Sequence, residues 1–317
     1  MADTTPFVTL PDAAASGLAT APPMPVVIGG TTFVWGERTY VMGIVNATPD
    51  SFSGDGLAVG GAEPGGSTAG LVDAVVRQAL EMADQGADMI DIGGESTRPG
   101  HQRVDEAEER RRVIDGVAAI HDARPDLPIS VDTRRATIAA AALASGAAML
   151  NDVAAVTDPS DALFRVAAEH AVPVVLMHDR AEARYRNVVA EVIADLQRAV
   201  ERAVAVGVAW ERCLVDPGIG FGKTADQNLA LLHELEALRV IGRPVMLGTS
   251  RKSTIGRVLD LPANERLEGT LATTALGVAG GVDIVRVHDV HANVRVARMA
   301  DAIVRRGQAR AREISPR

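Results

Sequence analysis

The chain has 317 residues, of which 47% are hydrophobic and 3% are aromatic. Its 41 acidic and 32 basic residues give a formal net charge of -9, which argues against nonspecific binding to nucleic acid. No apolar run approaches the length of a membrane span, and the first residues lack the basic start of a signal peptide. Because Cys213 is the single cysteine, an internal disulfide is excluded and we expect a cytoplasmic protein.

The predicted elements begin after a nonperiodic segment. Residues 1–30 are rich in Ala, Pro, Thr and Gly, which predicts a flexible leader. Residues 31–45, TTFVWGERTYVMGIV, predict a hairpin turned by Gly36 and Glu37, whose second arm is the first core strand. Apolar runs then alternate with helical patterns to residue 306, and residues 307–317 are predicted to be a C-terminal tail. The predicted strands lie in VMGIVN, DMIDIGG, PISVDT, AAMLNDV, PVVLMH, CLVDPG, PVMLGTS and DIVRVHD.

This alternation of strands and amphipathic helices indicates the fold class. It predicts a parallel sheet, and eight such units match the usual size of an α/β barrel, about 250 residues. We therefore predict a (β/α)8 TIM barrel over residues 31–306 with an N-terminal β-hairpin. An open doubly wound sheet is the alternative, because the order of strands cannot be read from sequence, although no GxGxxG follows the first strand.

Nearly every predicted strand ends in polar or ionisable side chains. In a barrel these ends converge on one face, which is the face that carries the active site. A lone Asp after a strand commonly caps a helix, and capping alone could explain Asp132 or Asn151. Capping does not account for polar ends on eight strands, so we predict a catalytic or binding mouth. The polar ends are Asn46, Asp91, Asp132, Asn151 with Asp152, His178, Asp216, Ser250 with Arg251 and Lys252, and Arg286 with His288.

Two polar loops follow the first two predicted strands. Residues 46–56, NATPDSFSGDG, start with Asn46, whose amide can offer oxygen to a hard cation or N–H to a phosphate. Residues 91–100, DIGGESTRPG, contain Arg98, which can bind a carboxylate or phosphate through two hydrogen bonds. Pro99 restricts the backbone before it and so helps to aim that guanidinium. We expect the first loop to be a mobile cover for a ligand.

The last three predicted strands end in an acid and several cations. In residues 216–223, DPGIGFGK, glycines let the backbone approach a flat ligand, and Asp216 could accept N–H groups from a pterin or guanine edge. A plain glycine-rich turn is the alternative. Residues 250–253, SRKS, stand where barrels commonly hold phosphate. Arg286 and His288 lie two apart on a strand, so both face one side and would add to an anion site.

Two charged runs are predicted to be structural. Residues 103–113, RVDEAEERRRV, carry both signs at helical spacing, which predicts a solvated helix face. The C-terminal RRGQARAREISPR is basic but short and lacks aromatic residues, so a frayed tail is favoured over nucleic-acid contact.

Seven motifs taken together carry a family resemblance. They are MGIVNATPDSFSGDG, DIGGESTRPG, ISVDTRR, NDV, DPGIGFGK, SRKSTIG and RVHDV, which follow in order between residues 41 and 304. This set closely resembles dihydropteroate synthase, a pterin-binding enzyme family of folate biosynthesis. The resemblance implies a (β/α)8 barrel, typically a homodimer, that joins 4-aminobenzoate to 6-hydroxymethyl-7,8-dihydropterin diphosphate with Mg2+ and is a target of sulfonamides. The segment after Met177 and His178 is shorter than is common in the family.

The resemblance also implies roles for individual residues. The pterin would be bound by Asp132, Asn151, Asp216 and Lys252, with Met177 and Phe221 nearby. The diphosphate would be held by Arg286, His288 and, through Mg2+, Asn46. The aminobenzoate pocket would be shaped by Phe52, Thr97, Arg98, Pro99 and Ser253. The residues assigned to catalysis are Asp91, Thr97, Arg98, Asp132, Lys252, Arg286 and His288.

The implied reaction breaks a carbon–oxygen bond at a methylene attached to an electron-rich ring. It needs cations for the leaving diphosphate and negative groups near the pterin, but no strong base, because an aromatic amine is neutral near pH 7. We therefore predict no Ser/His/Asp triad. A methyltetrahydrofolate:corrinoid methyltransferase is one alternative, but it would leave Arg98, Lys252 and Arg286 without a diphosphate. A catalytically silent relative is another, although loop residues such as Thr97 and Arg98 would then be expected to be lost.

Overall fold

A computed structural model describes residues 22–47, 68–94 and 104–305 of the chain. Within these ranges a short antiparallel hairpin is followed by eight parallel strands alternating with helices. The strands are β1 (Val26–Ile28), β2 (Thr31–Phe33), β3 (Tyr40–Asn46), β4 (Met89–Gly93), β5 (Ile129–Asp132), β6 (Met149–Asp152), β7 (Val174–Met177), β8 (Cys213–Asp216), β9 (Met246–Leu247) and β10 (Ile284–Val287).

The helices connect successive strands of the parallel sheet. The α-helices are α1 (Thr68–Asp84), α2 (Glu106–Ala123), α3 (Ala136–Ala144), α4 (Ala162–Glu169), α5 (Val188–Ala205), α6 (Ala225–His233), α7 (Ser253–Leu259), α8 (Leu267–Ala279) and α9 (Val290–Val304). Short 3-10 helices span Trp210–Arg212, Leu235–Ile241 and Ala263–Glu265. Polar side chains that accept backbone N–H groups start three of the α-helices, as expected for N-caps. These caps are Asp105 for α2, Asn187 for α5 and Thr224 for α6.

The eight parallel strands close into a barrel. Each strand from β3 to β7 pairs with the next one along the chain, and β10 pairs with both β3 and β9. A parallel bridge between Val215 and Val245 joins β8 to the chain entering β9 and completes the ring. The predicted (β/α)8 barrel is therefore confirmed, and the open doubly wound sheet is excluded.

Alternation along the strands separates two hydrophobic cores. Val41 and Val45 of β3 pack with helix residues in the layer outside the barrel, whereas Met42 between them packs inside. The barrel interior near the amino ends of the strands is apolar and rich in methionine. It contains Met42, Met89, Met149, Leu214, Met246 and Ile284. Two residues further along four of these strands, the same face is polar: Asp91, Asn151, Asp216 and Arg286. The period of two thus carries one set of polar side chains to the carboxyl end of the barrel.

The hairpin closes the opposite end of the barrel. Its strands β1 and β2 turn at Gly29 and Gly30, both with positive φ, and deliver Phe33 to the interior core. The ring centroid of Phe33 lies 5.9 Å from that of Trp35 and 4.7 Å from that of Tyr40. This aromatic cluster and the interior methionines pack beneath the polar layer, which is formed by Asp91, Asn151, Asp216 and Arg286.

The position of the hairpin corrects the prediction from sequence. A hairpin over residues 31–45 with a turn at Gly36 and Glu37 was expected, and that turn is wrong, because the paired arms are Val26–Ile28 and Thr31–Phe33. β1 also falls inside the range predicted as a flexible leader. Arms of three residues are too short to show an alternating pattern, and the glycine pair between them resembled the leader in composition.

Helix α2 differs from its prediction in one residue. Its charged run was expected to be a solvated face, but Glu109 is only 2% exposed. Glu109 accepts a hydrogen bond of 2.7 Å from the Thr133 hydroxyl and forms an ion pair with Arg135. A carboxylate can be buried here because these two partners, both after β5, satisfy it.

In the described parts of the chain, no helix is long and apolar enough to cross a membrane.

Candidate active site

A pocket lies at the carboxyl ends of the barrel strands, directly above the polar layer. Its walls come from β5 through β8, from the residues that follow β9, and from β10, so positions far apart in sequence meet there. The lining residues are Asp132, Asn151, Val153, Met177, Asp216, Gly218, Ile219, Phe221, Gly248, Lys252 and Arg286.

Arg286 joins two carboxylates across the floor of this pocket. Its Nε donates to Asp91 Oδ2 at 2.6 Å and its Nη2 donates to Asp132 Oδ2 at 3.0 Å. Both partners are nearly inaccessible to solvent. A buried cation between two buried carboxylates is stable only when each charge is paired, so the three residues depend on one another. Among the described residues, Nη1 of Arg286 makes no hydrogen bond, which leaves a donor for a ligand.

Asp91 acts beneath the pocket and does not line it. It is fully buried, and its Oδ2 also accepts from Asn151 Nδ2 at 3.0 Å. Asp91 therefore orients Asn151 as well as Arg286. The amide oxygen of Asn151 is buried and has no hydrogen-bond partner among the described residues. Because an unpaired buried acceptor is costly, this oxygen is suited to an N–H group of a ligand.

The two carboxyl groups that line the pocket are perturbed by burial. Burial raises the pKa of Asp132, and the neighbouring Arg286 opposes that rise. Burial raises the pKa of Asp216 to about 6, opposed by a backbone hydrogen bond and by Lys252. That hydrogen bond runs from Gly218 N to Asp216 Oδ1 at 2.7 Å and fixes the carboxylate plane. Above pH 6 the charged form of Asp216 dominates, so it can accept N–H groups.

One wall is formed by the loop that follows β8, residues 217–224. Gly218 and Gly222 have φ of 64° and 58°, and a Cβ at either position would overlap a carbonyl oxygen, of His178 and Arg180 respectively. Glycine is required at both positions, because the loop lies directly against the chain that follows β7. Phe221 stands between them, with the Lys252 Nζ 4.1 Å from its ring centroid in a cation–π contact.

His288 and the residues after β9 form the side of the mouth next to Arg286. The His288 backbone N–H donates to Ser250 Oγ at 3.2 Å, and the same oxygen lies 2.9 Å from His288 Nδ1. The Arg251 side chain, expected to add to the anion site, donates instead to Asp289 at 2.8 and 3.2 Å. Its charge is therefore matched by a carboxylate of the framework. Among the described residues, Lys252, Arg286 and His288 also lie on this side of the mouth.

The structure brings together seven of the eleven predicted site residues that it describes. The seven that line one pocket are Asp132, Asn151, Met177, Asp216, Phe221, Lys252 and Arg286. Asn46 is half-buried at the end of β3, the strand beside Arg286 and His288, and Ser253 is exposed at the first turn of α7. Phe52, Thr97, Arg98 and Pro99, which were predicted to shape the aminobenzoate pocket, lie outside the described residues.

The prediction missed the residues that support the wall from behind. Lys223 Nζ donates to the carbonyl oxygens of Gly218 and Phe221 in the loop after β8. It also lies within hydrogen-bond distance of Nδ1 of the buried His178. The pocket also includes Val153 and Ile219, which carried no polar signal. The signal for Lys223 was available, because the chain contains just two lysines and both fall in the quoted motifs.

Comparisons with known proteins agree with this geometry. Residues 42–288 match the family of pterin binding enzymes. A dihydropteroate synthase of Bacillus subtilis is 49% identical over 272 residues, which is 86% of this chain and 90% of the relative. A dihydropteroate synthase from Clostridium difficile, solved in the presence of pteroic acid, superposes with a TM-score of 0.78 at 44% identity and covers 86% of this chain and 98% of its own.

A second solved structure of a similar chain contains a different ligand. A dihydropteroate synthase from Xanthomonas albilineans, solved with 4-aminobenzoic acid, has a TM-score of 0.79 and 40% identity, covering 89% of this chain and 98% of its own. The family match, the identity over most of both chains and the common barrel all point the same way. This chain belongs to the pterin binding enzyme family.

Proposed function

We propose that this protein catalyses the dihydropteroate synthase reaction. It condenses 4-aminobenzoate with (7,8-dihydropterin-6-yl)methyl diphosphate and yields 7,8-dihydropteroate and pyrophosphate. The relatives named for this activity, and the pteroic acid and 4-aminobenzoic acid in their structures, support the assignment. The observation that carries it is the arrangement of the pocket, where two buried acids, a buried amide and two cations line one small cavity: Asp132, Asp216, Asn151, Lys252 and Arg286.

The pocket matches the edge of a pterin in its donors and acceptors. A dihydropterin presents N–H groups on its pyrimidine ring and a carbonyl oxygen beside them. Asp216 and the amide oxygen of Asn151 supply acceptors for the N–H groups. Lys252 supplies a donor for the carbonyl, and Phe221 and Met177 give apolar surface for the ring faces. This combination favours a flat heterocycle with an amidine-like edge over a sugar or a simple acid.

The same groups fit the chemistry at the reacting carbon. The bond between the pterinyl methylene and the diphosphate oxygen breaks, and the aromatic amine nitrogen bonds to that methylene. Positive charge that develops on the pterin spreads into its electron-rich ring, close to Asp132 and Asp216. The amine loses a proton after attack and is neutral before it, so no residue is needed as a strong base.

The diphosphate leaves on the side of the pocket where the basic groups lie. Arg286 borders the pterin floor and His288 lies just past the end of the same strand, so both can hold phosphate oxygens as negative charge grows there. We assign Lys252 to the boundary between pterin and diphosphate. Arg98, to which the family resemblance also assigns a catalytic role, lies outside the described residues.

Asn46 fits a role in holding Mg2+. Its amide oxygen is a hard ligand at the end of β3, on the mouth shared with Arg286 and His288. No group of three or more His, Cys, Asp or Glu in the described parts of the chain could cage a metal. One amide oxygen suits an ion that takes its other ligands from phosphates and water, as Mg2+ commonly does. When bound, Mg2+ would neutralise charge on the departing diphosphate.

We also propose a homodimer in the cytoplasm. Three large apolar residues on the neighbouring helices α8 and α9, Leu276, Met299 and Ile303, are each more than half exposed. Large exposed apolar side chains on two adjacent helices support pairing with another chain. A cytoplasmic location agrees with the single cysteine, Cys213, which is buried and free.

The direct test is pyrophosphate release by the purified protein. The protein is mixed with the dihydropterin diphosphate, 4-aminobenzoate and Mg2+, and pyrophosphate is measured with a coupled assay. We expect release that depends on 4-aminobenzoate, together with a product that has the mass of dihydropteroate. Release that is independent of 4-aminobenzoate would indicate hydrolysis and contradict the proposal, as would binding of the pterin without turnover.

A further inference from the structure

The use of lysine in this chain is confined to two positions. Of its 32 lysine and arginine residues, just Lys223 and Lys252 are lysines. Lys252 lines the pocket, and Lys223 ends the loop that forms the pocket wall. An arginine guanidinium is a planar fork of donors, whereas an ammonium is a compact charge with three tetrahedral donors. Both positions therefore stand out as places where a compact cation is used.

The Lys223 ammonium group sits in a cage of acceptors. Its Nζ lies 2.9 Å from the carbonyl oxygen of Gly218, 2.9 Å from that of Phe221 and 2.9 Å from His178 Nδ1. The His178 carbonyl oxygen is a more distant fourth neighbour at 3.4 Å. The three hydrogens of an ammonium group match the three close acceptors. A planar guanidinium could not reach three acceptors that surround a point, so arginine would not replace this lysine.

The imidazole of His178 is held so that it accepts this hydrogen bond. His178 is fully buried, and its Nε2 lies 3.1 Å from Asp195 Oδ2, which also accepts from Arg180 at 2.7 Å. Because Asp195 is an acceptor, Nε2 carries the proton and Nδ1 offers its lone pair to Lys223. Burial, and then the charge of Lys223, lower the pKa of His178 to about 4, so the ring is neutral.

The protonation state of Lys223 follows from two opposing effects. Burial lowers the pKa of Lys223 to about 7, whereas the charges of Asp216 and Asp179 raise it. The hydrogen-bond pattern selects the ammonium form, because a neutral amine has two hydrogens for three acceptors. Loss of the charge would leave one acceptor of the cage unpaired.

The two loop residues bound by Lys223 are those that shape the pocket. Gly218, whose carbonyl accepts from Lys223, also donates its N–H to Asp216 Oδ1 at 2.7 Å. Phe221, the other carbonyl partner, carries the ring that contacts Lys252. We propose that Lys223 is a positioning residue of the pterin pocket, an internal cation that ties residues 218–221 to His178 and so orients Asp216 and Phe221. This inference rests on the proposed pterin substrate.

The rest of the loop is held by weaker neutral bonds. Gly220 N donates to Asn228 Oδ1 at 2.9 Å, and the Tyr185 hydroxyl donates to the carbonyl of Gly222 at 3.0 Å. Hydrogen bonds to a charged group are about twice as strong as neutral ones, so the ammonium is the main tie. Removing it should leave the loop attached at its ends but free to shift in the middle.

The test is Lys223→Ala with chemical rescue. We expect the KM for the dihydropterin diphosphate to rise by about 10-fold or more, because a loop that is no longer tied to His178 presents Asp216 and Phe221 to the pterin in the wrong orientation. The KM for 4-aminobenzoate should stay within about twofold, because the hydrogen bonds of Lys223 go to Gly218, Phe221 and His178, none of which is assigned to that pocket. Methylammonium, which carries three N–H groups, should restore the pterin KM. Tetramethylammonium, which has the same charge and no N–H group, is the matched control and should not.

A second measurement separates failure of the proposed reaction from failure of the proposed role of Lys223. Titration calorimetry with 6-hydroxymethylpterin measures pocket affinity without turnover. If the unmodified protein binds pterin but shows no synthase activity, and Lys223→Ala weakens that binding, the reaction assignment fails and the role of Lys223 stands. An active protein whose Lys223→Ala variant keeps both the KM and the pterin affinity would overturn the role of Lys223 alone.

A third measurement needs no variant and covers the case in which Lys223→Ala does not fold. The two lysines of the unmodified protein are methylated with formaldehyde and borohydride, and labelling at each is followed by peptide mass. We expect Lys223 to react at least about 10-fold more slowly than in the denatured chain, because its donors are held in the cage. Labelling of Lys223 at the denatured rate would show that the cage does not hold it.

Discussion

Replacing Arg286 by methionine removes one cation from between two buried carboxylates. Asp91 is fully buried and lies 2.6 Å from Arg286 Nε, and Asp132 lies 3.0 Å from Nη2. Methionine fills much of the same volume but leaves both acids without a counter-charge. Removing one partner of a buried pair costs about 3–5 kcal/mol. We expect a loss of that size at pH 8, within the total of about 5–15 kcal/mol that keeps a typical domain folded.

The loss of stability in Arg286→Met should depend on pH, and the titration of Asp132 determines whether it grows or shrinks as pH rises. Burial already raises the pKa of Asp132, and Arg286 opposes the rise, so the variant should have a still higher value. An acid whose pKa is higher in the folded than in the unfolded state binds protons on folding, and stability falls as pH rises toward the folded pKa. The deficit of the variant should therefore be smaller at pH 5 than at pH 8, by about 1.4 kcal/mol for each unit of extra pKa rise.

Urea unfolding followed by circular dichroism at pH 5, 6.5 and 8 measures both quantities. Arg111→Met is the matched control, because Arg111 pairs with Glu108 on the exposed side of α2 and should contribute little. Adding Asp132→Asn to Arg286→Met should recover part of the loss, since one unpaired charge disappears. If Arg286→Met is as stable as the control at pH 8, or if its deficit is larger at pH 5, the ion-pair reasoning is wrong.

Four shorter predictions address the rest of the site. Asp216→Asn should lower kcat/KM by about 100-fold or more; its thermal midpoint at pH 8 should be unchanged or higher, because burial raises the pKa of Asp216 to about 6 and an amide removes a buried charge. Gly222→Ala should destabilise the fold by more than about 1 kcal/mol in a urea titration, since its φ is positive and the new Cβ overlaps Arg180. Asn46→Ala should raise the Mg2+ concentration for half-maximal turnover by about 10-fold or more, and an unchanged Mg2+ dependence would remove Asn46 from the metal site. Sulfonamides should compete with 4-aminobenzoate in steady-state inhibition, whereas a noncompetitive pattern would contradict a shared pocket.

The strand pattern was sufficient to predict the barrel and the face that carries the site. Short apolar runs that end in polar residues gave all eight strands, because a parallel strand covered on both sides is apolar along most of its length. The same period of two predicted that Arg286 and His288 share a side. Motif order added the identity of the pocket residues, and Asp132, Asn151, Asp216 and Lys252 do line one cavity.

The partners of these residues could not be predicted in the same way. Arg286 was assigned to the diphosphate, yet its nearest bonds are to Asp91 and Asp132, which lie 195 and 154 positions away in sequence. Such pairing depends on how strands are staggered around the barrel, and a single sequence does not encode the stagger in any local pattern. Glu109 was misjudged for the same reason, because Thr133 and Arg135 come from the next strand end.

The closure of the barrel has a consequence for the ligand. In the described residues, β8 and β9 meet through the bridge between Val215 and Val245, and β9 has two residues. Asp216 follows one side of this seam, and Gly248 and Lys252 follow the other. A pterin held by Asp216 and Lys252 would bridge β8 and the chain after β9, where the sheet itself has one backbone bridge. Substrate binding would then stabilise the closed barrel. Closure of the barrel between β8 and β9 would in turn favour substrate binding.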